Sequence, residues 1–278
     1  MTVHWLLALM RLRIAHSSVY RYDPPTAGVI QVLRLPPRNH EGQYVQRWHI
    51  DVVPDARLAA HEDAFGNITH VFTADGPLEE LRVEVDGQVE TQSADGVVRG
   101  TVERFPPSLF LRDTALTQAD TAIRDFAQKI RDTSGGVVLA ELHGLLDGLF
   151  EDFTCDVATS PAPAKNATEA FARKRGAAKD FAHIFIGAAH TLGIPARYVR
   201  GYFHRVDQSA DADTSHAWAE AYVPGLGWVG FDPSNGCCPT DGHVRVAIGL
   251  DSLGAAAVRG TRLGVGAETL AVAIKVDQ

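Results

Sequence analysis

The segment Gly176-Ala177-Ala178-Lys179-Asp180-Phe181-Ala182-His183 constrains this chain more than any other. Ala178, Phe181, Ala182, Phe185, Ala189 and Leu192 recur at helical spacing and form one apolar stripe. Ile184 and Ile186 widen it, so the pattern predicts a largely buried helix from about Ala177 to Leu192. Gly193 and Pro195 supply a stop. Gly187, Ala188 and Ala189 are small enough for a sheet to approach closely. A first-turn residue of such a helix lies at the positive end of the macrodipole. A thiol there loses its proton more readily, and the free N–H groups nearby suit an oxyanion. Position 178 is where a cysteine nucleophile belongs physically, and an alanine stands there.

Downstream, Ala196 to Phe203 reads as a strand, and His204 to Thr214 as a polar loop. His216 to Tyr222 alternates, with His216, Trp218, Glu220 and Tyr222 on one face and alanines on the other. Trp228 to Phe231 is the return strand, closed by Asp232-Pro233. A four-residue loop at 224–227 sends His216 and Asp232 to opposite faces; a five-residue loop at 222–226 sets them directly opposite. The second register suits a His–carboxylate hydrogen bond, in which the aspartate fixes the imidazole tautomer. Taken singly, each residue reads equally well as ordinary strand or turn material.

Residues 11 to about 95 read as β-structure. Arg11 to His16 alternates and Val19 to Tyr22 continues until Asp23-Pro24-Pro25. Val29 to Leu35 and Trp48 to Val53 are further strands, each ended by proline. Asp86-Gly87, between Leu81–Val85 and Gln88–Thr91, carries the strongest hairpin signal. Short strands with Pro/Gly punctuation suggest a β-sandwich-like module. His16, His49 and His70 lie scattered on it without ligand-type spacing. Beyond Phe105-Pro106-Pro107 the pattern turns helical. One helix is expected over Thr117–Ile130, with Thr117 and Asp120 as its capping pair, and a second around Val138–Leu149. A loop follows from Asp152 to Thr168, and β alternation returns at Leu270–Ile274. The expected division is a leader or mis-assigned start over 1–10, a β-rich domain over 11–100 and a mixed core over 101–278.

Net charge is −8, and no basic footprint of a nucleic-acid binder exists. The apolar patch Trp5–Leu9 is too short to span a membrane. The three cysteines, Cys155, Cys237 and Cys238, form no disulfide framework and fit a reducing compartment. The expectation is a cytoplasmic protein with no membrane or nucleic-acid partner, no cofactor and no metal. Cys237, Cys238 and His243 lack a recognisable ligand spacing. Oligomeric state is not indicated.

Four segments taken together resemble the transglutaminase-like superfamily, in particular bacterial members described as predicted cysteine proteases. They are Arg175–His183, Leu192–Tyr202, Ser215–Glu220 and Gly227–Asn235. Tyr20-Arg21-Tyr22 and Leu33-Arg34-Leu35-Pro36-Pro37 look like the N-terminal domain that accompanies these proteins. The resemblance implies an α+β, papain-like core preceded by the β-sandwich-like domain. It also implies a cysteine at the helix start that attacks an amide or peptide carbonyl, a histidine base and an orienting aspartate. His216 and Asp232 match the last two positions. The nucleophile position matches Ala178, and Lys179 departs from the usual glutamine.

Three readings stay open. The chain is a pseudoenzyme that binds peptide or amide groups; or Ala178 is an engineered replacement in an active cysteine peptidase, amidase or acyl-transferase; or another thiol acts. The expected partner is a peptide or protein ligand, with Trp218, Tyr202 and Trp228 either lining its site or packing in the core.

Overall fold

The computed structural model describes residues 9–101, 103–156, 163–205 and 215–278. The expected leader, apart from Leu9 and Met10, lies outside the described residues, as do 206–214 of the polar loop and Pro161.

The N-terminal half opens with β1 (Met10–Leu33), β2 (Gln43–Val53), β3 (Ala59–Glu62), β4 (Ile68–Thr91) and the short β5 (Val97–Val98). In β1 every second residue from Leu12 to Tyr22 is buried, as period-two alternation requires. The strand does not end at Asp23-Pro24-Pro25 as expected. Its ladder with β4 only shifts register between Arg21 and Gly28, then resumes to Leu33. Asp86-Gly87 likewise makes no hairpin; it lies inside β4, with Gly87 opposite both Ile14 and Trp48. A Cβ on Gly87 would stand 2.3 Å from the Trp48 ring, so glycine serves there as the floor under an indole.

The helical part begins with a 3-10 turn (Pro107–Leu111), then α1 (Thr121–Ser134) and α2 (Val138–Asp152). α1 starts four residues after the expected Thr117. The Asp120 Oδ1 accepts the Ile123 N–H at 3.0 Å and sets the N-cap, whereas Thr117 closes a turn with Thr114. Next come β6 (Thr154–Cys155), α3 (Ala167–Arg173), β7 (Arg175–Gly176) and α4 (Ala178–Thr191). α3 lies partly in the expected loop; it is capped by Asn166 and too short for a periodic signal. β8 (Ala196–Phe203), β9 (His216–Val223), β10 (Gly227–Phe231) and β11 (His243–Gly249) follow. With β5 they form an antiparallel sheet ordered β11-β8-β9-β10-β5.

α4 is buried along nearly its whole length and packs on one face of that sheet. Ala217, Ala219 and Ala221 keep β9 flat there, and Phe185 stacks on Phe231 at 5.2 Å. The other face of β9 carries His216, Trp218 and Glu220. Opposite His216 lies Gly201, where a Cβ would meet the Val244 carbonyl oxygen at 2.1 Å and the Trp218 ring at 2.6 Å. Backbone cannot yield as a flexible side chain can. Gly201→Ala is therefore expected to destabilise the protein by about 3 kcal/mol, and an unchanged melting temperature would refute this packing.

β12 (Val258–Leu263) and β13 (Ala267–Asp277) leave the mixed core and return to the N-terminal half. They pair with β1 at Gly28–Leu33 and Arg13–Asp23 respectively. The expected assignment of all of 101–278 to the core is corrected accordingly. The strands of this part form one hydrogen-bonded sheet of six, ordered β12-β1-β4-β2 with β13 on β1 and β3 on β4. Both ends of its long strands feed one apolar cluster that includes Tyr20, Val29, Leu33, Phe72 and Leu81. The class is α+β.

Candidate active site

Strand order and direction bring the chemistry to one end of the five-stranded sheet. The chain enters α4 at Ala178, descends, and returns along β8 to Phe203. β9 starts at His216 opposite Gly201, and β11 starts at His243 opposite Phe203. β10 ends at Phe231 opposite Ala219, with Asp232 next.

Ala178 is the first helical residue and is half-buried. Its N-cap, Ala177, has no side-chain acceptor. Asp180 makes the cap from within, its Oδ2 accepting the Ala177 N–H at 3.0 Å, while Lys179 Nζ donates to Oδ1 at 2.7 Å. Lys179, the second departure from the family pattern, thus neutralises the acidic group of the first turn.

The β9–β10 connection matches neither expected register. Val223 pairs with Gly227 across a three-residue loop, Pro224–Leu226. Asp232 then falls on the His216 face, one diagonal step away, within reach of long side chains. His216 Nε2 lies 2.5 Å from Asp232 Oδ2, with both residues buried. The expected pairing exists, by a register not foreseen.

Asp232 is saturated with donors. Oδ2 also accepts from Asn235 Nδ2 at 2.6 Å and from His243 Nε2 at 3.1 Å. Oδ1 accepts the Ser234 hydroxyl at 2.7 Å and the backbone N–H groups of Ser234 and Asn235 at 3.1 and 3.3 Å. Burial opposes its charge, but His216 and His243 outweigh that and hold the carboxyl well below its ordinary range. A carboxylate oxygen can only accept, so the contact places the His216 proton on Nε2 and turns Nδ1 outward as an acceptor. Sequence reasoning misses His243 because it does not recognise β11; the alternation His243-Val244-Arg245-Val246 is the signal that points to it.

Nε2 of His216, Oδ2 of Asp232 and Nε2 of His243 lie within 4.8 Å of one another, which raises a metal site. Tetrahedral ligands about 2.0–2.1 Å from one ion stand about 3.3 Å apart, wider than the 2.5 Å seen here. The backbone N–H of Thr240 also donates to His243 Nδ1 at 3.0 Å, which leaves the proton on Nε2. The cluster is built as a hydrogen-bonded one.

Trp218, Tyr202 and Trp228, readable from the sequence as cleft lining or as core, pack in the core. All three are buried. The Tyr202 hydroxyl bonds His16 Nδ1 at 2.9 Å, and Trp228 lies under the Arg197 guanidinium at 3.9 Å. Trp218 packs with Phe110, Val199 and Ile248. Beyond Trp218 on β9, Glu220 is fully buried between Arg245 (2.6 and 3.1 Å) and Arg197 (2.7 Å). An open pocket of about 460 Å³ adjoins the His–Asp pair, lined in part by Asn235, Cys237, Arg205 and Phe203. Cys155 pairs with Gly176 in the parallel β6–β7 bridge, just before α4. Burial, then the Asp232 charge, pushes its thiol up to about 11. The same causes push Cys237 up to about 12, and burial raises Cys238.

A helix start, a strand histidine and a buried aspartate at one end of an antiparallel sheet define a papain-like α+β core. Residues 124–233 match the transglutaminase-like superfamily, and residues 12–90 match the bacterial transglutaminase-like N-terminal region. The chain belongs to the transglutaminase-like superfamily. It is 28% identical to "Uncharacterized protein ML0607" of Mycobacterium leprae, over 97% of this chain and 99% of that protein. A 76-residue stretch is 32% identical to "Uncharacterized protein YebA" of Bacillus subtilis, covering 24% of this chain and 10% of that one. The crystal structure of "a Putative Cysteine Protease from Cytophaga hutchinsonii" shares the fold at a TM-score of 0.75 and 18% identity, covering 97% of this chain and 91% of that one. Among the described residues, no helix is long and apolar enough to cross a membrane.

Proposed function

We propose that this protein keeps the frame of a transglutaminase-like thiol site without its reactive atom and binds peptide or amide groups without turning them over by that route. The observation that carries the reading is Ala178 at the first position of α4, at the sheet end where His216 and Asp232 are fully assembled. Removing the nucleophile of a hydrolytic triad lowers kcat by on the order of 10⁶. The backbone N–H groups of the first turn survive the loss of the side chain and retain their affinity for a carbonyl oxygen. The pocket beside Asn235 offers room for the rest of a peptide-like ligand.

The second reading, catalysis by another thiol, rests on Cys155, which the β6–β7 bridge holds next to the helix start. Its raised thiol pKa argues against it, since the thiolate is the nucleophile. The test is paired: the chain as it stands and Ala178→Cys are assayed against peptide and glutamine-amide substrates and labelled with iodoacetamide. Silence in the first and labelling at residue 178 in the second are expected. Turnover by the unaltered chain that disappears on Cys155→Ser or Cys237→Ser would overturn the proposal.

A further inference from the structure

We infer that His243 is a positioning residue: by sharing Asp232 Oδ2 with His216 it fixes the carboxylate and restrains the basicity of the His216 imidazole. The inference rests on the reading that His216 and Asp232 are the working pair of the site. Three observations carry it. His243 Nε2 reaches the same oxygen that His216 reaches, at 3.1 Å against 2.5 Å. The Thr240 N–H on Nδ1 makes His243 a donor at Nε2 and hence a neutral ring. Phe203, 4.2 Å from the His243 ring and 5.2 Å from the His216 ring, packs against both imidazoles.

An oxygen that accepts a second N–H has less charge left for the first. Asp232 therefore stabilises an imidazolium on His216 less than an unshared carboxylate does. The other groups facing His243 do not reverse this. His40, Glu220 and Arg245 line a small pocket together with His243. Glu220 and Arg245 neutralise each other, and His40 is kept uncharged, burial and then Arg245 pushing it down to about 4. Asp241 lies toward the larger pocket that Thr240 also lines. Burial keeps His243 itself below the ordinary histidine range despite Asp232.

The experiment is a long-range ¹H–¹⁵N NMR titration of the folded chain, with the His216 and His243 rings assigned by substitution. In the unaltered protein His243 is expected with its proton on Nε2 and bare at Nδ1. A proton on Nδ1 overturns the inference. In His243→Phe the His216 midpoint is expected to rise by about one unit, a tenfold gain in proton affinity. In His243→Gln, which returns a neutral N–H donor, it is expected to stay within a few tenths of the original. An unchanged or lowered midpoint in His243→Phe overturns the inference. These outcomes do not depend on residue 178, so an inert Ala178→Cys protein would sink the proposed function and leave this result standing.

Discussion

Ala178→Cys is expected to be alkylated by iodoacetamide at pH 6 about 100-fold faster than any of the native thiols, from the thiolate fraction that a helix start confers. A free cysteine titrates near ~8.5, and helix N-termini with a basic neighbour bring it to about 3.5–7.5. Position 178 has the first feature, the opening turn of a 14-residue helix, while Lys179 beside it offsets the Asp180 carboxylate. The native thiols move the other way, Cys155 to about 11 and Cys237 to about 12. The lower intrinsic nucleophilicity of an acidic thiolate takes back part of the gain, with a Brønsted slope of about 0.4–0.5. Site-resolved mass spectrometry reads the rates separately. Equal rates at the thiol introduced by Ala178→Cys and at Cys155 would mean that the helix start does not activate a thiol here.

Glu220→Leu is expected to lose about 3–5 kcal/mol of stability, because it strips a buried charge from its partners. Arg197 keeps a second carboxylate, Glu103, at 2.6 and 3.0 Å, whereas both of the side-chain ion-pair contacts recorded for Arg245 go to Glu220. Glu220→Leu combined with Arg245→Met is therefore expected to lose less than Glu220→Leu alone, which urea denaturation of the three proteins would show. The same residue sets an acid limit. Burial raises the Glu220 pKa, but Arg245 and Arg197 bring it down to about 2. A depressed carboxyl stabilises the fold above its unfolded pKa of roughly 4.3 and loses that contribution as pH falls through the folded value. Stability should decline between about pH 4 and 2, and Asp232, depressed in the same sense, adds to the slope. A Glu220→Leu protein should show a shallower decline over that range; an identical slope would remove Glu220 from the account.

Local chemistry in the sequence located much of this, and long-range pairing accounts for the rest. α4 was legible because its stripe is long and its stop is explicit, and β9 because its alternation is clean. The turn at Pro224–Leu226 was not, since a one-residue change in loop length moves Asp232 between faces and several lengths satisfy the same residues. Asp86-Gly87 misled because a residue pair suited to a turn is equally suited to receiving an indole, and only Trp48, far away in sequence, decides between the two uses. Aromatic residues beside a catalytic motif invite a cleft reading; Trp228 is instead covered by Phe110 and by Arg197 of β8, and Trp218 belongs to the same buried cluster. His243 was invisible as a partner of Asp232 because nothing local ties β11 to the end of β10.

The pairing of Arg13 with Asp277 has a consequence for the order of events as the chain is made. β1 and β4 can meet early, but the outer edge of β1 over Arg13–Asp23 and Gly28–Leu33 acquires its partners only when the final strands arrive. Until then a long unpaired edge is exposed, the kind that templates contact with neighbouring chains. A closure joining the first strand to the last also raises contact order and slows folding. The segment 12–90 that the family match delimits is thus an evolutionary unit without being a kinetic one. Released alone, it would carry two vacant ladders along β1, and its solubility would depend on supplying Val258–Asp277 in trans.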